Sequence, residues 1–127
     1  MPTDRPASVL VIDDNMDSAD SLARFLRVAV GYEVRVAYDG PSGIRMVSER
    51  VPDVVVCDIA MPKLSGLRVA EQLAGLVPKP LLIAVTAFAG EFREAQAREA
   101  GFEFYLAKPA DPFVIEALIQ NRKRAAP

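Results

Sequence analysis

Histidine is absent from all 127 residues, and that absence removes whole classes of chemistry. Without imidazole there is no Ser-His-Asp or Cys-His nucleophile system and no histidine ligand for zinc. Cysteine is nearly absent. Cys57 stands alone, so no internal disulfide can form, and the residue reads as a small buried hydrophobe rather than a redox centre. No apolar run approaches the roughly 20 residues that a membrane helix requires. Met1 to Ala7 also lacks the apolar stretch of a signal peptide, so a cytoplasmic location with no membrane partner is expected. An excess of one charge is lacking too. The 15 basic and 17 acidic residues leave a net charge of −2, which gives no electrostatic case for direct binding of nucleic acid. The basic run Arg122-Lys123-Arg124 is too short to reverse that and reads as a complement to the dipole of a last helix. Any chemistry must come from carboxylates, hydroxyls, lysine and backbone.

What is present is a pattern suited to burial. The hydrophobic fraction of 51% with 25% charged residues is that of a soluble globular protein. A chain of this length buries roughly two-thirds of its unfolded surface, and it fits one domain over 1–127, with a core of about 8–120 and loose ends at Met1 to Ala7 and Asn121 to Pro127. Strand-like and helix-like stretches alternate. Ser8 to Ile12 is a short apolar run, followed by Ala19, Leu22, Ala23, Leu26 and Val30 at helical spacing up to Gly31. Glu33 to Tyr38 alternates with Val34 and Val36 inward, and Asp39-Gly40-Pro41 starts a helix carrying Ile44, Val47 and Val51. Val54 to Cys57 is the third strand. Helical spacing returns from Gly66 to Leu76 through Leu67, Ala70 and Leu73. After Pro78-Lys79-Pro80 come a strand at Leu81 to Val85, a thin alanine-rich helix from Glu91 to Ala100, and a strand at Phe102 to Leu106. Asp111-Pro112 reads as N-cap and N1 of a last helix with Val114, Ala117 and Leu118 on its apolar side. Such units predict an α/β fold, an open parallel sheet covered on both faces.

In such a sheet functional groups gather beyond the carboxyl ends of the strands. The first strand ends in Asp13-Asp14, the third in Asp58, the fourth in Thr86 and the fifth at Lys108-Pro109. Three aspartates about 5 Å apart, at an effective dielectric near 20, repel by roughly 10 kcal/mol in total. One lysine does not offset that. A divalent cation does, and magnesium suits an all-oxygen site that also accepts an anionic group, with manganese as an alternative.

These residues, in this order and each at its strand end, resemble the receiver domains of two-component response regulators over about residues 8–120. The motifs are Asp13-Asp14, Asp58 with Met61-Pro62 and Ser65-Gly66, Thr86-Ala87, and Lys108-Pro109. The resemblance implies a doubly wound (βα)5, flavodoxin-like fold with strand order 2-1-3-4-5. It implies that Asp58 is the phosphoacceptor, charged from a phosphohistidine on a histidine kinase or histidine phosphotransfer protein. Asp14, Asp58 and the carbonyl of Ala60 match the magnesium ligands, and Asp13 the acid that orients metal-bound water. Lys108 matches the lysine that pairs with the phosphoryl oxygens and Thr86 the hydroxyl that binds the phosphoryl group. Tyr105 matches the aromatic whose rotamer follows Thr86, and Lys108-Pro109 a cis peptide. The output is expected through the fourth helix, fifth strand and fifth helix, onto a downstream protein or a second copy in a homodimer.

Two positions depart from the commoner polar pattern. Ala60 and Phe88 flank the path of a hydrolytic water and cannot hydrogen-bond it, so slow self-dephosphorylation is expected. An aspartyl-phosphate phosphatase is the competing reading, but it wants a second acid two residues after the nucleophile, where Ala60 stands. A flavin carrier is disfavoured by Asp13-Asp14-Asn15 in the loop that would hold the flavin phosphate. A receiver reduced to a scaffold is disfavoured by the complete set of acids, hydroxyl and lysine. Phe88, Phe92 and Phe104 admit two readings, core or docking patch.

Overall fold

The computed structural model describes residues 6–61, 64–87 and 90–125, without the side chains of 91, 92 and 123–125. Pro62, Phe88, and the side chains of Phe92, Lys123 and Arg124 lie outside the described residues. Strands β1 (Ser8–Ile12), β2 (Glu33–Ala37), β3 (Val54–Asp58), β4 (Leu81–Thr86) and β5 (Phe104–Ala107) alternate with helices α1 (Met16–Arg24), α2 (Gly40–Glu49), α3 (Gly66–Leu73), α4 (Glu91–Ala100) and α5 (Pro112–Ala125). All strand pairings are parallel, and the sheet order is β2-β1-β3-β4-β5, as the resemblance implies.

The period of two along a strand decides which layer each residue joins. Leu10, Ile12, Val55, Cys57, Leu82 and Ala84 face one cluster, closed by Val47 of α2, Val69, Ala70 and Leu73 of α3, and Ala97 and Ala100 of α4. Val9, Val11, Val54, Val56, Ile83 and Val85 face the other, closed by Ala19 and Ala23 of α1 and Ile115 and Ile119 of α5. Burial on both faces is why β1, β3 and β4 read as unbroken apolar runs. Each fully buried aliphatic side chain contributes about 1.5–3 kcal/mol, so these strands dominate the stability.

Several boundaries and stripes differ from the sequence expectation. Among the described side chains of α5 the buried ones are Ile115 and Ile119, while Val114 and Ala117 are exposed and Leu118 is only partly covered. The run Phe113-Val114-Ile115 offers more than one stripe at helical spacing, and packing on the sheet selects the one that faces Val56 and Val85. Val51 lies beyond the end of α2 and is exposed. β5 starts two residues later than expected, and Phe102 is buried in the connection that precedes it. Part of each segment expected to be loose belongs to the fold. Ala7 is buried and accepts a hydrogen bond from Glu33 N–H at 3.0 Å, and α5 runs on through Asn121 to Ala125. The first helix ends at Arg24 and continues as a π-helical segment, Phe25–Val30, to Gly31 in the left-handed region with φ 91°.

Side chains hold the ends of α1 and α2. Asn15 caps α1, its side chain accepting from Ser18 N–H at 3.0 Å. Asp39 caps α2 in the same way from Ser42 N–H at 2.7 Å. The C-terminal carbonyls of α2 are met from the neighbouring strand, where Arg35 donates to Met46 O at 2.9 Å and Arg50 O at 2.7 Å.

Candidate functional site

The sheet order reverses between β1 and β3, and their carboxyl ends part there to leave a crevice. Asp58 is the last residue of β3, and alternation sends it to the same side as Val54 and Val56. Asp13 follows β1 on that same side, its N–H donating to Ala37 O at 3.1 Å. Both aspartates are buried, at 7% and 6% exposure for Asp13 and Asp58, while Asp14 is exposed. One oxygen from each of Asp13, Asp14 and Asp58 falls within 4.8 Å of the others.

Lys108 reaches this cluster from the end of β5. Its ammonium donates to Asp13 Oδ2 at 2.8 Å and to Asp58 Oδ2 at 3.3 Å. The Lys108–Pro109 peptide is cis, as is Val77–Pro78. The other carboxylate oxygens are engaged by backbone: Asn15 N–H donates to Asp13 Oδ1 at 2.9 Å, and Ala60 N–H donates to Asp58 Oδ1 at 3.0 Å. Ala60 therefore lies against the Asp58 carboxylate through its backbone.

The electrostatics are those of a crowded anionic site. Burial pushes the Asp58 carboxyl above the ordinary aspartate range, and the Ala60 N–H and the Lys108 charge only partly reverse that. At Lys108 burial acts to lower the pKa, but the hydrogen bond and charge of Asp13, with those of Asp58, win and raise it. Both pKa values rise, which disfavours the charged form of Asp58 and favours that of Lys108. The Asp58–Lys108 attraction is common to both partners; burial outweighs it at Asp58, where Asp13 also repels, whereas at Lys108 Asp13 adds a second attraction. An all-oxygen donor set holding three carboxylates and one ammonium fits a hard divalent cation such as Mg2+, which would cancel the remaining charge.

Thr86 and Tyr105 stand on the opposite side of the sheet. Thr86 ends β4, is 1% exposed, and its carbonyl accepts Lys108 N–H at 2.8 Å. Tyr105 pairs in register with Ala84, two residues before Thr86, and packs partly buried on the cluster beneath α2, α3 and α4. The strand-end residues named from sequence thus converge on one rim, with Asp13, Asp58 and Lys108 on the α1 and α5 side and Thr86 with Tyr105 towards α4.

Sequence reasoning passed over two features. A cavity of about 530 Å³ opens beside the carboxylates, walled by Ser18 and Leu22 of α1, Val56 and Val85 of the sheet, and Pro109 and Ile115. Gly66 is needed for space, since a Cβ there would collide with the backbone carbonyl of Asp58. The Ser65-Gly66 pair was the available signal, but a glycine opening a helix does not announce what it touches.

Comparison with known proteins agrees with this geometry. The family profile described as response regulator receiver domain matches residues 9–120. The response regulator MprA of Mycobacterium tuberculosis is 35% identical over 115 residues, which cover 91% of this chain and 48% of MprA. This chain thus spans about half of that relative. A solved CheY-like receiver domain protein of Methanospirillum hungatei superposes with a TM-score of 0.87 at 25% identity, covering 94% of each chain. A response regulator of Burkholderia pseudomallei, solved with a phosphorylated aspartic acid, calcium ion and citrate, gives a TM-score of 0.84 at 31% identity, covering 93% of this chain and 69% of that one. With the sheet order, the acid cluster and the profile match in agreement, the chain belongs to the response regulator receiver domain family of two-component signalling.

Proposed function

We propose that this chain takes a phosphoryl group onto Asp58 from the phosphohistidine of a histidine kinase or histidine phosphotransfer protein. The observation that carries the reading is the cluster of Asp13, Asp14 and Asp58 at the switch point of the sheet, with Lys108 between two of its carboxylates. The phosphorylated aspartic acid in the Burkholderia pseudomallei relative supports it.

In this reading Asp58 Oδ attacks phosphorus while the P–N bond to the partner's imidazole breaks, and the imidazole keeps the electron pair and takes a proton. Asp14, Asp58 and the Ala60 carbonyl would hold Mg2+, with Asp13 placed to orient its bound water, and the ion would neutralise charge on the phosphoryl oxygens. Asp58 is placed for attack by its backbone: β3 fixes its Cα, and the Ala60 N–H orients one oxygen. Lys108 leaves its bridging position to pair with a phosphoryl oxygen, and Thr86 donates to another. The added charge draws Thr86 inward, and Tyr105 follows on the same side of the sheet. The face of α4, β5 and α5, where Phe104 is 36% exposed, carries the change to a downstream protein or a second copy of the chain. The chain is a signalling phosphoacceptor with at most weak autophosphatase activity, and no direct contact with nucleic acid is needed.

The test is incubation with acetyl phosphate or phosphoramidate and Mg2+, read by intact mass. A gain of one phosphoryl group that Asp58→Asn abolishes supports the reading. Turnover of many equivalents of a phosphoester would favour an aspartyl-phosphate phosphatase instead.

A further inference from the structure

The connection from β3 to α3 includes Ala60, whose carbonyl is assigned above to the metal, so the placement of a short loop becomes a matter of metal affinity. On one side this loop is pinned by its own chain. Ala60 N–H donates to Asp58 Oδ1 at 3.0 Å, and the N–H groups of Met61 and Gly66 donate to Ile59 O at 3.1 and 3.0 Å. On the other side it meets α2. Gly40, the first residue of that helix, is buried. A Cβ placed on it would stand 2.8 Å from Leu64 Cβ and 2.9 Å from Leu64 O. Neither atom can swing aside by rotating a side chain, so a larger residue must move the loop backbone or the helix. The helix is not free to retreat, because Arg35 of β2 holds its last carbonyls and Gly43 lies close against Ile12 of β1. Among the described glycines only Gly31 and Gly101 have φ in the left-handed range, so at Gly40 the requirement is space and not backbone conformation.

Resting on the phosphoacceptor reading, we propose that Gly40 is a positioning residue for the metal site. Its bare α-carbon lets α2 seat against Leu64 and thereby fixes the carbonyl of Ala60. The contact crosses from one βα unit to the next, so a residue that touches neither metal nor phosphoryl group sets the affinity of the first and, through it, the rate of transfer of the second.

The test compares the full chain carrying Gly40→Ala with the parent and with Gly43→Ala, whose added Cβ would press on the Ile12 side chain of β1 instead. Mg2+ affinity is read by calorimetric titration, and thermal midpoint alongside it. Gly40→Ala is expected to weaken Mg2+ binding about tenfold, the usual size of effect when groups that orient a metal's ligands are disturbed. Gly43→Ala is expected to lower the midpoint and leave the affinity unchanged. Parent-like affinity in Gly40→Ala, or an equal loss in Gly43→Ala, overturns the inference. If Gly40→Ala does not fold, Leu64→Gly removes the Cβ against which Gly40 seats and is expected to weaken Mg2+ binding; unchanged affinity there overturns it equally. A parent that binds no Mg2+ sinks the phosphoacceptor reading itself, whereas a parent and a Gly40→Ala variant that bind alike sink this inference alone.

Discussion

Lys108 lies closer to Asp13 than to Asp58, 2.8 Å against 3.3 Å, although Asp58 is the residue proposed to react. The lysine is therefore a shared counter-ion, holding apart two buried carboxylates that would otherwise face each other. Lys108→Ala leaves both without a cation. In metal-free buffer it is expected to destabilise the fold by about 3 kcal/mol, as is usual when one partner of a buried ion pair is removed. Urea unfolding with and without Mg2+ reads this, and Mg2+ should recover more stability in the variant than in the parent. Equal stability of variant and parent without metal would show that the lysine is not neutralising the cluster. The raised pKa of Lys108 means that its contribution is complete below the unfolded lysine value, near 10.4, and is lost as pH climbs through the folded value.

Asp58 gives the opposite sign. Its folded pKa lies above the unfolded one, so its contribution is present below about pH 4 and is lost as pH rises through the folded value. At neutral pH the ionised carboxylate opposes folding. Asp58→Asn is expected to stabilise the metal-free protein by about 1 kcal/mol at pH 7, and by much less near pH 3.5, where Asp58 in the parent is largely protonated. Denaturant midpoints at the two pH values decide it. A destabilised variant at pH 7 would mean that the Lys108 pairing outweighs burial.

Ala60 offers only backbone to the proposed acceptor, with its N–H 3.0 Å from Asp58 Oδ1. No side chain at this position can order a hydrolytic water, so the phosphoryl-aspartate is expected to decay slowly with Mg2+ and no partner. Ala60→Gln supplies a hydrogen-bonding side chain and should speed the decay about tenfold, below the range of a well-placed general base. Time-resolved intact mass after removal of the phosphodonor measures both rates.

Gly66 and Gly75 make a controlled pair. A Cβ on Gly66 would meet the Asp58 and Ile59 backbone, whereas nothing stands within 4 Å of one on Gly75. Gly66→Ala is expected to lose about 2–3 kcal/mol by overpacking and to lower phosphoryl uptake at Asp58. Gly75→Ala should change stability by no more than about 0.5 kcal/mol. Thermal midpoints of the two variants read the difference.

The site was legible because its residues interrupt an otherwise apolar text. Val54 to Cys57 reads as a buried strand, so a carboxylate at its end needs a partner, and Lys108 supplies it from the end of β5 while Asp13 at the end of β1 shares the same lysine. The stripe of α5 was not legible, because Phe113, Val114, Ile115, Leu118 and Ile119 satisfy overlapping helical periods and only the sheet chooses among them. The π-helical run of Phe25–Val30 leaves no mark in composition. The reach of Arg35 across to α2 is a tertiary contact between residues 11 and 15 apart, and no local pattern encodes it.

Cys57 sits at 0% exposure in β3, the middle strand of five, with burial pushing its thiol pKa up. A maleimide added to the native protein must wait until that strand parts from its neighbours. The sole sulfhydryl of the chain therefore makes the rate of its alkylation a clock for opening at the centre of the molecule, readable without dye, tag or engineered probe.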